Sequence, residues 1–147
     1  VKTPGDAARG RPLFHDLQGL ACIKCHRVDG AGGEIGPDLS HIGSQYSRPE
    51  LAESVVFPSR KIREGYQQVK VMTRSGRIVA GAIKGETAED LTLQDAEGTK
   101  HTLAKTEIEK RASSELSLMP EGLHGGLSMR DFADLISYLE SLKAPKK

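Results

Sequence analysis

Apolar side chains recur at intervals of three or four residues near the end of the chain. They are Phe132, Leu135, Ile136, Leu139 and Leu142. This spacing places all of them on one face of an α-helix. Ser128, followed by Asp131 three residues later, has the side chains typical of a helix N-terminus. The pattern predicts a C-terminal helix that buries one face against the rest of the protein.

Two further helices are predicted in the first part of the chain. The stretch from Asp6 to Phe14 begins with an acidic capping residue and contains Pro12, which must lie near the first turn or kink the helix. A second stretch, from Pro49 to Val56, contributes apolar side chains to the same core. Together with the C-terminal helix, these segments predict a mainly α fold.

The pattern changes between Gly65 and Arg111, where apolar and polar residues alternate. Strict alternation is typical of β-strands. Ser75-Gly76 and Glu97-Gly98 separate the alternating runs and fit tight turns, in which glycine adopts a positive φ. This stretch predicts a small antiparallel β insert in an otherwise helical chain.

The insert divides the chain. With 147 residues, the chain is long enough for one domain with a small insertion. We therefore predict a mainly α domain built from residues 1–60 and 112–147, and an inserted β subdomain of residues 61–111, so that the chain is α+β overall.

Charge and composition narrow the classes of partner. The 21 Lys and Arg residues against 20 Asp and Glu give a net charge of +1, without the positive excess of phosphate-binding proteins. We expect no nucleic acid partner. No apolar run approaches the roughly 18 residues that span a bilayer, so we expect no membrane insertion of this segment. Aromatic residues make up only 4% of the chain, which suggests that something besides side chains fills the core.

The two cysteines of the chain lie in one motif, Cys22-x-x-Cys25-His26. In a helical turn, positions i, i+3 and i+4 share a face, so both thiols could form thioethers to haem vinyl groups while the imidazole reaches the iron. A redox dithiol and half of a zinc site are the alternatives. Zinc needs about four ligands, and the other histidines are scattered; a dithiol normally follows a strand, whereas the preceding segment is predicted to be helical. The motif favours c-type haem attachment.

The order of the haem motif and three other motifs along the chain resembles that of class I cytochromes c. They include Gly10-x-x-x-Phe14, Gly36-Pro37-Asp38-Leu39 and Met119-Pro120 before the last helix. More closely, the chain resembles the C-terminal haem-binding domains of large periplasmic proteins in planctomycetes and verrucomicrobia. The closer likeness rests on Cys25–Gly30, Gly36–Leu39, Gly65-Tyr66, Ser75–Arg77, Ser117–Leu123 and Leu135–Leu139. The resemblance implies a class I cytochrome c fold interrupted by the β insert, with one covalent haem c.

The resemblance also assigns roles to single residues. It gives Pro37 a carbonyl that accepts from the second nitrogen of His26, an interaction that fixes the tautomer and raises ligand basicity. It places Gly10 against Tyr138 where the first and last helices cross. Met119, in a loop and next to Pro120, is the best candidate for the sixth ligand of the iron, because a thioether suits ferrous iron and raises the reduction potential.

Other side chains could occupy the sixth position. Met72 falls in a predicted strand and Met129 in the first turn of the last helix, where simple packing explains both. His124 lies five residues after Met119, and His41 follows the Gly-Pro loop. The glycine-rich segment before that loop would let the backbone lie close against a flat cofactor.

Two classes of function fit these features. We favour a mono-haem electron carrier without an enzymatic activity of its own, serving a periplasmic dehydrogenase or redox partner, separate or fused. The periplasm is expected because thioethers form outside the cytoplasm. The alternative is a module that binds or senses a gas or peroxide, which needs a vacant sixth position and for which His124 and Arg111 are candidates. A third interpretation is that the haem only stabilises the fold.

Overall fold

The computed structural model describes residues 3–145, which form two compact units. The first unit contains the described residues up to Arg60 and those from Glu121 onwards, and the second contains Lys61–Pro120. The helices are α1 (Ala7–His15), α2 (Cys22–Cys25), α3 (Ile42–Gln45), α4 (Arg48–Val56) and α5 (Met129–Ser141). The strands are β1 (Arg27–Val28), β2 (Ala31–Gly32), β3 (Gln68–Thr73), β4 (Ile78–Glu86), β5 (Asp90–Gln94), β6 (Lys100–Ala104) and β7 (Ile108–Ser113).

All three helices predicted from the apolar pattern are confirmed in the first unit. The Ser128 hydroxyl caps α5 by accepting from the Asp131 N–H at 3.0 Å. The Asp6 carboxylate caps α1, and α4 begins with a capping box between Ser47 and Glu50. The helices bury the side chains of Phe14, Leu51, Val55, Leu135, Ile136 and Leu139.

The first and last helices cross at a glycine. A Cβ built at Gly10 would lie 1.9 Å from the Asp134 carbonyl oxygen and 2.9 Å from the Tyr138 Cβ. The predicted contact between Gly10 and Tyr138 is therefore confirmed. The Tyr138 ring also packs against the buried Phe14, with 5.5 Å between the ring centroids. The crossing joins α1 to α5 and so connects the two parts of the first unit that are separate in sequence.

A buried carboxylate adds a polar link at this crossing. Asp134 is 2% exposed and accepts from Arg9 Nε at 3.0 Å and from the Asp6 N–H at 2.7 Å. The hydrogen bond from Arg9, assisted by that from Asp6, lowers the pKa of Asp134 below its usual value. Burial alone would have the opposite effect, so the partners keep this carboxylate ionised at neutral pH.

The charge on Asp134 makes stability depend on pH. Because the folded pKa lies below the unfolded value of about 4, the contribution is complete above that value and is lost as the pH falls through the folded pKa. We expect Asp134→Asn to lower the thermal unfolding midpoint clearly at pH 7 and much less at pH 3. Thermal unfolding of both proteins across this range checks the prediction. An equal loss at both pH values would show that the charge is unimportant.

The second unit is a five-stranded antiparallel sheet in the order β6-β5-β4-β3-β7. Gly76 and Gly98 adopt φ of +88°, which confirms both predicted turns. One face of the sheet carries the buried core of this unit, formed by Val69, Val71, Val79, Leu91, Leu93 and Leu103. Short strands β1 and β2 form a separate pair in the first unit.

The prediction of a mainly α fold is wrong. In the described range 3–145 the protein has 32% helix and 24% strand, and the seven strands found there form two antiparallel sheets. The reason is that the predicted insert forms a sheet of five strands, whereas two of the helices, α2 and α3, have only four residues each. The β1–β2 pair beside the haem motif adds further strand residues that the apolar pattern does not reveal. The fold is α+β.

The second boundary between the units lies after Pro120, later than the predicted division at Arg111. The Ser114 N–H donates to the Gln68 carbonyl at 2.8 Å, and Gln68 Nε2 donates to the Leu116 carbonyl at 3.4 Å. These bonds tie the segment after β7 to the sheet. Independent folding of the two predicted domains stays a prediction. No helix among residues 3–145 has the length and apolarity that crossing a membrane requires.

Candidate haem site

The two cysteines lie at the two ends of one short helix. The residue before it, Ala21, adopts a left-handed conformation with φ of 52°. Its N–H donates to the Asp16 carbonyl at 2.9 Å, which fixes the entry to the turn. The His26 N–H closes the turn on the Cys22 carbonyl at 2.9 Å. This short helix therefore carries both thiols and leads directly into the histidine.

Both cysteines are free thiols and are half-buried. Burial raises the pKa of Cys22 to about 11, and burial also raises the pKa of Cys25. The thiols are therefore protonated at neutral pH, whereas a redox dithiol needs a thiol of lowered pKa. No cluster of three or more potential metal-binding side chains occurs in the described part of the chain. These findings weigh against the dithiol and zinc alternatives and fit thioether attachment.

His26 is fixed by a hydrogen bond to Pro37. The Nδ1 atom lies 2.8 Å from the Pro37 carbonyl oxygen. A carbonyl can only accept, so Nδ1 carries the proton and Nε2 keeps the lone pair that a metal requires. Burial lowers the pKa of His26, although the bond to Pro37 opposes this effect. The imidazole is therefore neutral at pH 7, in the form that binds iron.

Backbone bonds hold the Pro37 segment beside the haem motif. The Gly36 N–H donates to the Cys25 carbonyl at 2.7 Å, and the Leu39 N–H donates to the Arg27 carbonyl at 2.8 Å. The two acceptors are the residues on either side of His26. This pairing aligns the Pro37 carbonyl with the imidazole and holds it there.

A small polar network supports the same loop, and sequence reasoning missed it. The Asp38 carboxylate accepts from the Ser40 N–H at 2.8 Å and from its hydroxyl at 2.6 Å. The Ser40 hydroxyl also accepts from the Asp29 N–H at 2.8 Å. Hydrogen bonds from Ser40 lower the pKa of Asp38. The Asp-x-Ser spacing after Pro37 is typical of such a local turn and could have revealed it.

The glycine-rich segment packs against the haem motif itself. A Cβ at Gly32 would lie 2.2 Å from the His26 carbonyl oxygen, and one at Gly33 would lie 1.9 Å from the Lys24 carbonyl oxygen. Both glycines thus let the loop approach the turn that carries the thiols. We expected these glycines to lie against a flat cofactor, whereas at these two positions the neighbour is protein backbone.

Of the five predicted site residues, the first unit contains Cys22, Cys25, His26 and Pro37, while Met119 belongs to the second unit. The Met119 side chain is half-buried, and its N–H donates to the Ser117 hydroxyl at 3.1 Å. This bond shapes the loop before Pro120.

The other candidates for the sixth ligand lie in different surroundings. Met72 is half-buried in β3, and Met129 is 79% exposed at the start of α5. His124 belongs to a 3-10 turn, Leu123–Gly126, and its ring packs 6.1 Å from that of Phe132. His41 is exposed at the start of α3.

Comparison with known proteins adds two findings. Residues 7–77 match the family described as Cytochrome c, from the first residue of α1 to the turn before β4. Among solved structures, the chain is similar to one described as the crystal structure of SoxXA from P. pantotrophus, at 15% identity and a TM-score of 0.50. That likeness covers 97% of this chain and 85% of the other, and at this identity it concerns the fold alone. No curated protein matches the chain.

The family match and the geometry of the site agree. The matched residues include the two protonated thiols, the neutral imidazole of His26 and the Pro37 carbonyl that orients it. This donor set fits the covalent haem c that the family implies, with two sulfurs for its vinyl groups and one nitrogen for its iron. The chain therefore carries a cytochrome c family domain, located by the match at residues 7–77.

Proposed function

We propose that the protein is a mono-haem electron carrier. Thioethers from Cys22 and Cys25 hold one haem c, and His26 and Met119 ligate its iron. The observation that carries the proposal is the fixed imidazole of His26, whose Nδ1 is held 2.8 Å from the Pro37 carbonyl directly after the turn with both thiols. A half-buried, neutral imidazole with a fixed tautomer is the form that serves as an axial ligand.

Each residue of the site has a separate role in holding the haem. When bound, the haem supplies one-electron redox chemistry. The thiols anchor the group in the fold, because each protonated sulfur can add across a vinyl group. His26 supplies its Nε2 lone pair in an orientation that Pro37 and the flanking backbone bonds fix. A rigid ligand changes little between oxidation states, which suits fast electron transfer.

Met119 is proposed as the second axial ligand on its sequence context and chemistry. Its loop is shaped by Pro120 and by the bond to Ser117, and its side chain is half-buried. The neutral sulfur favours ferrous iron and raises the reduction potential, as in electron-carrying cytochromes. If His26 and Met119 both hold the iron, no position would remain for the gas and peroxide ligands of the alternative function.

The location and partner follow from the attachment chemistry and the family resemblance. Thioether attachment outside the cytoplasm supports a periplasmic location. The likeness to C-terminal haem-binding domains of large periplasmic proteins in planctomycetes and verrucomicrobia supports a redox partner or dehydrogenase domain fused to this segment or bound to it. Because the net charge is only +1, the electrostatic field of the whole protein is weak, and a partner would be recognised by local surface features.

Visible and far-red spectra of both oxidation states test the proposal. We expect a low-spin ferrous spectrum, a thioether-to-iron charge-transfer band in the ferric state, and little reaction with carbon monoxide, because both axial positions are filled. Rapid carbon monoxide binding by the ferrous protein, or turnover of peroxide, would contradict the electron-carrier function and favour the ligand-binding alternative.

A further inference from the structure

A residue without a side chain lies against the imidazole of His26. A Cβ built at Gly36 would lie 2.5 Å from Cε1, 2.8 Å from Nδ1 and 3.1 Å from Nε2 of that ring. The shortest of these distances is well inside van der Waals contact. The three atoms form the end of the ring that carries both nitrogens. Any side chain at Gly36 would therefore press on the part of the imidazole ring that includes Nε2, the proposed iron ligand.

Neither the loop nor the haem motif can retreat from this contact. The Gly36 N–H is bonded to the Cys25 carbonyl at 2.7 Å, and the Leu39 N–H to the Arg27 carbonyl at 2.8 Å. These bonds join the loop to the backbone on both sides of His26. The ring is the part that can turn, and turning it would break the bond from Nδ1 to the Pro37 carbonyl.

We propose that Gly36 is a positioning residue for the axial histidine. Because Gly36 has no side chain, the imidazole has room to keep the orientation set by Pro37. Gly36 thereby controls both the ring orientation and the strength of the Nδ1 hydrogen bond. That bond raises the basicity of the ligand. A more basic imidazole stabilises ferric iron, so Gly36 also influences the reduction potential. This inference rests on the proposed haem site.

The test compares two alanine substitutions in the haem-loaded protein. Gly36→Ala places a methyl group against the imidazole. The matched control is Gly43→Ala in α3, where a Cβ would overlap its surroundings as closely but meets the Glu140 carbonyl oxygen, at 2.1 Å, rather than the haem motif. The measurements are covalent haem content, reduction potential, thermal unfolding, and the haem-methyl shifts in the proton NMR spectrum of the ferric protein. Those shifts depend on the orientation of the axial ligand plane.

We expect Gly36→Ala to raise the potential and rearrange the haem-methyl shifts, because the bond to Pro37 is weakened and the ring turns. Gly43→Ala should lower the unfolding midpoint but leave the potential and the shifts close to those of the unsubstituted protein. Loss of haem by Gly36→Ala alone would support the same conclusion.

Equal effects of the two substitutions, including loss of haem by both, would overturn the inference, since a general loss of stability would then explain them rather than the imidazole contact. Unchanged potential and shifts in Gly36→Ala would overturn it too. These results leave the proposed function intact, because they require a haem-loaded parent protein. An unsubstituted protein without haem would instead overturn the proposed function and, with it, this inference.

Discussion

Replacing Met119 with alanine is expected to remove the thioether-to-iron charge-transfer band, lower the reduction potential and open the iron to carbon monoxide. The neutral sulfur stabilises ferrous over ferric iron, so its loss favours the ferric state. The vacant position would then accept an external ligand. Far-red spectra, a redox titration and carbon monoxide binding measure the three effects.

The other two methionines provide matched controls. Met72→Ala removes a half-buried side chain in β3, and Met129→Ala removes one that is 79% exposed. Neither substitution should change the band, the potential or the reactivity. A charge-transfer band that survives in Met119→Ala would show that another residue supplies the sulfur. A parent protein with two nitrogen ligands would make His124 the first residue to replace.

A second large effect is expected at the crossing of α1 and α5. Gly10→Val should lower the free energy of unfolding by roughly 3 kcal/mol, at the upper end of overpacking effects, because its Cβ would overlap the Asp134 carbonyl oxygen. The overlap is with backbone, at 1.9 Å, so no change of side-chain rotamer relieves it. Denaturant unfolding of the haem-loaded protein gives the value.

The control for this prediction is Gly125→Ala, since no heavy atom lies within 4 Å of a Cβ at that position. It should change the free energy of unfolding by less than about 1 kcal/mol, as surface substitutions usually do. Similar stability of Gly10→Val and the parent protein would mean that the two helices do not depend on this close approach.

Local signals in the sequence predicted much of the first unit. The spacing of apolar residues and the Ser128 cap are sufficient to define α5, because a helix is specified by neighbours along the chain. The haem motif is local for the same reason, and its thiols and histidine follow one another in a short turn. The partnership of His26 with Pro37 came from the family resemblance, since nothing in the spacing alone pairs them.

Contacts between distant residues could not be predicted in this way. Asp134 accepts from the Asp6 N–H across 128 positions of the chain, and an apolar pattern assigns such an aspartate simply to a helix surface. The mainly α prediction failed because the alternating pattern located the strands but did not show that five of them pair into one sheet, in the order β6-β5-β4-β3-β7. The role of Gly36 could not be predicted from the sequence either, because it depends on which atoms of the folded protein lie where a side chain would project.

Denaturing mass spectrometry shows whether Cys22 and Cys25 bind haem covalently. The protein should be produced in a host with periplasmic haem-attachment machinery and measured after complete unfolding. We predict the mass of the chain plus one haem, which stays attached after unfolding. When Cys22 and Cys25 are both replaced by alanine, no haem should remain covalently bound. A bare chain with two unmodified thiols from such a host would contradict it.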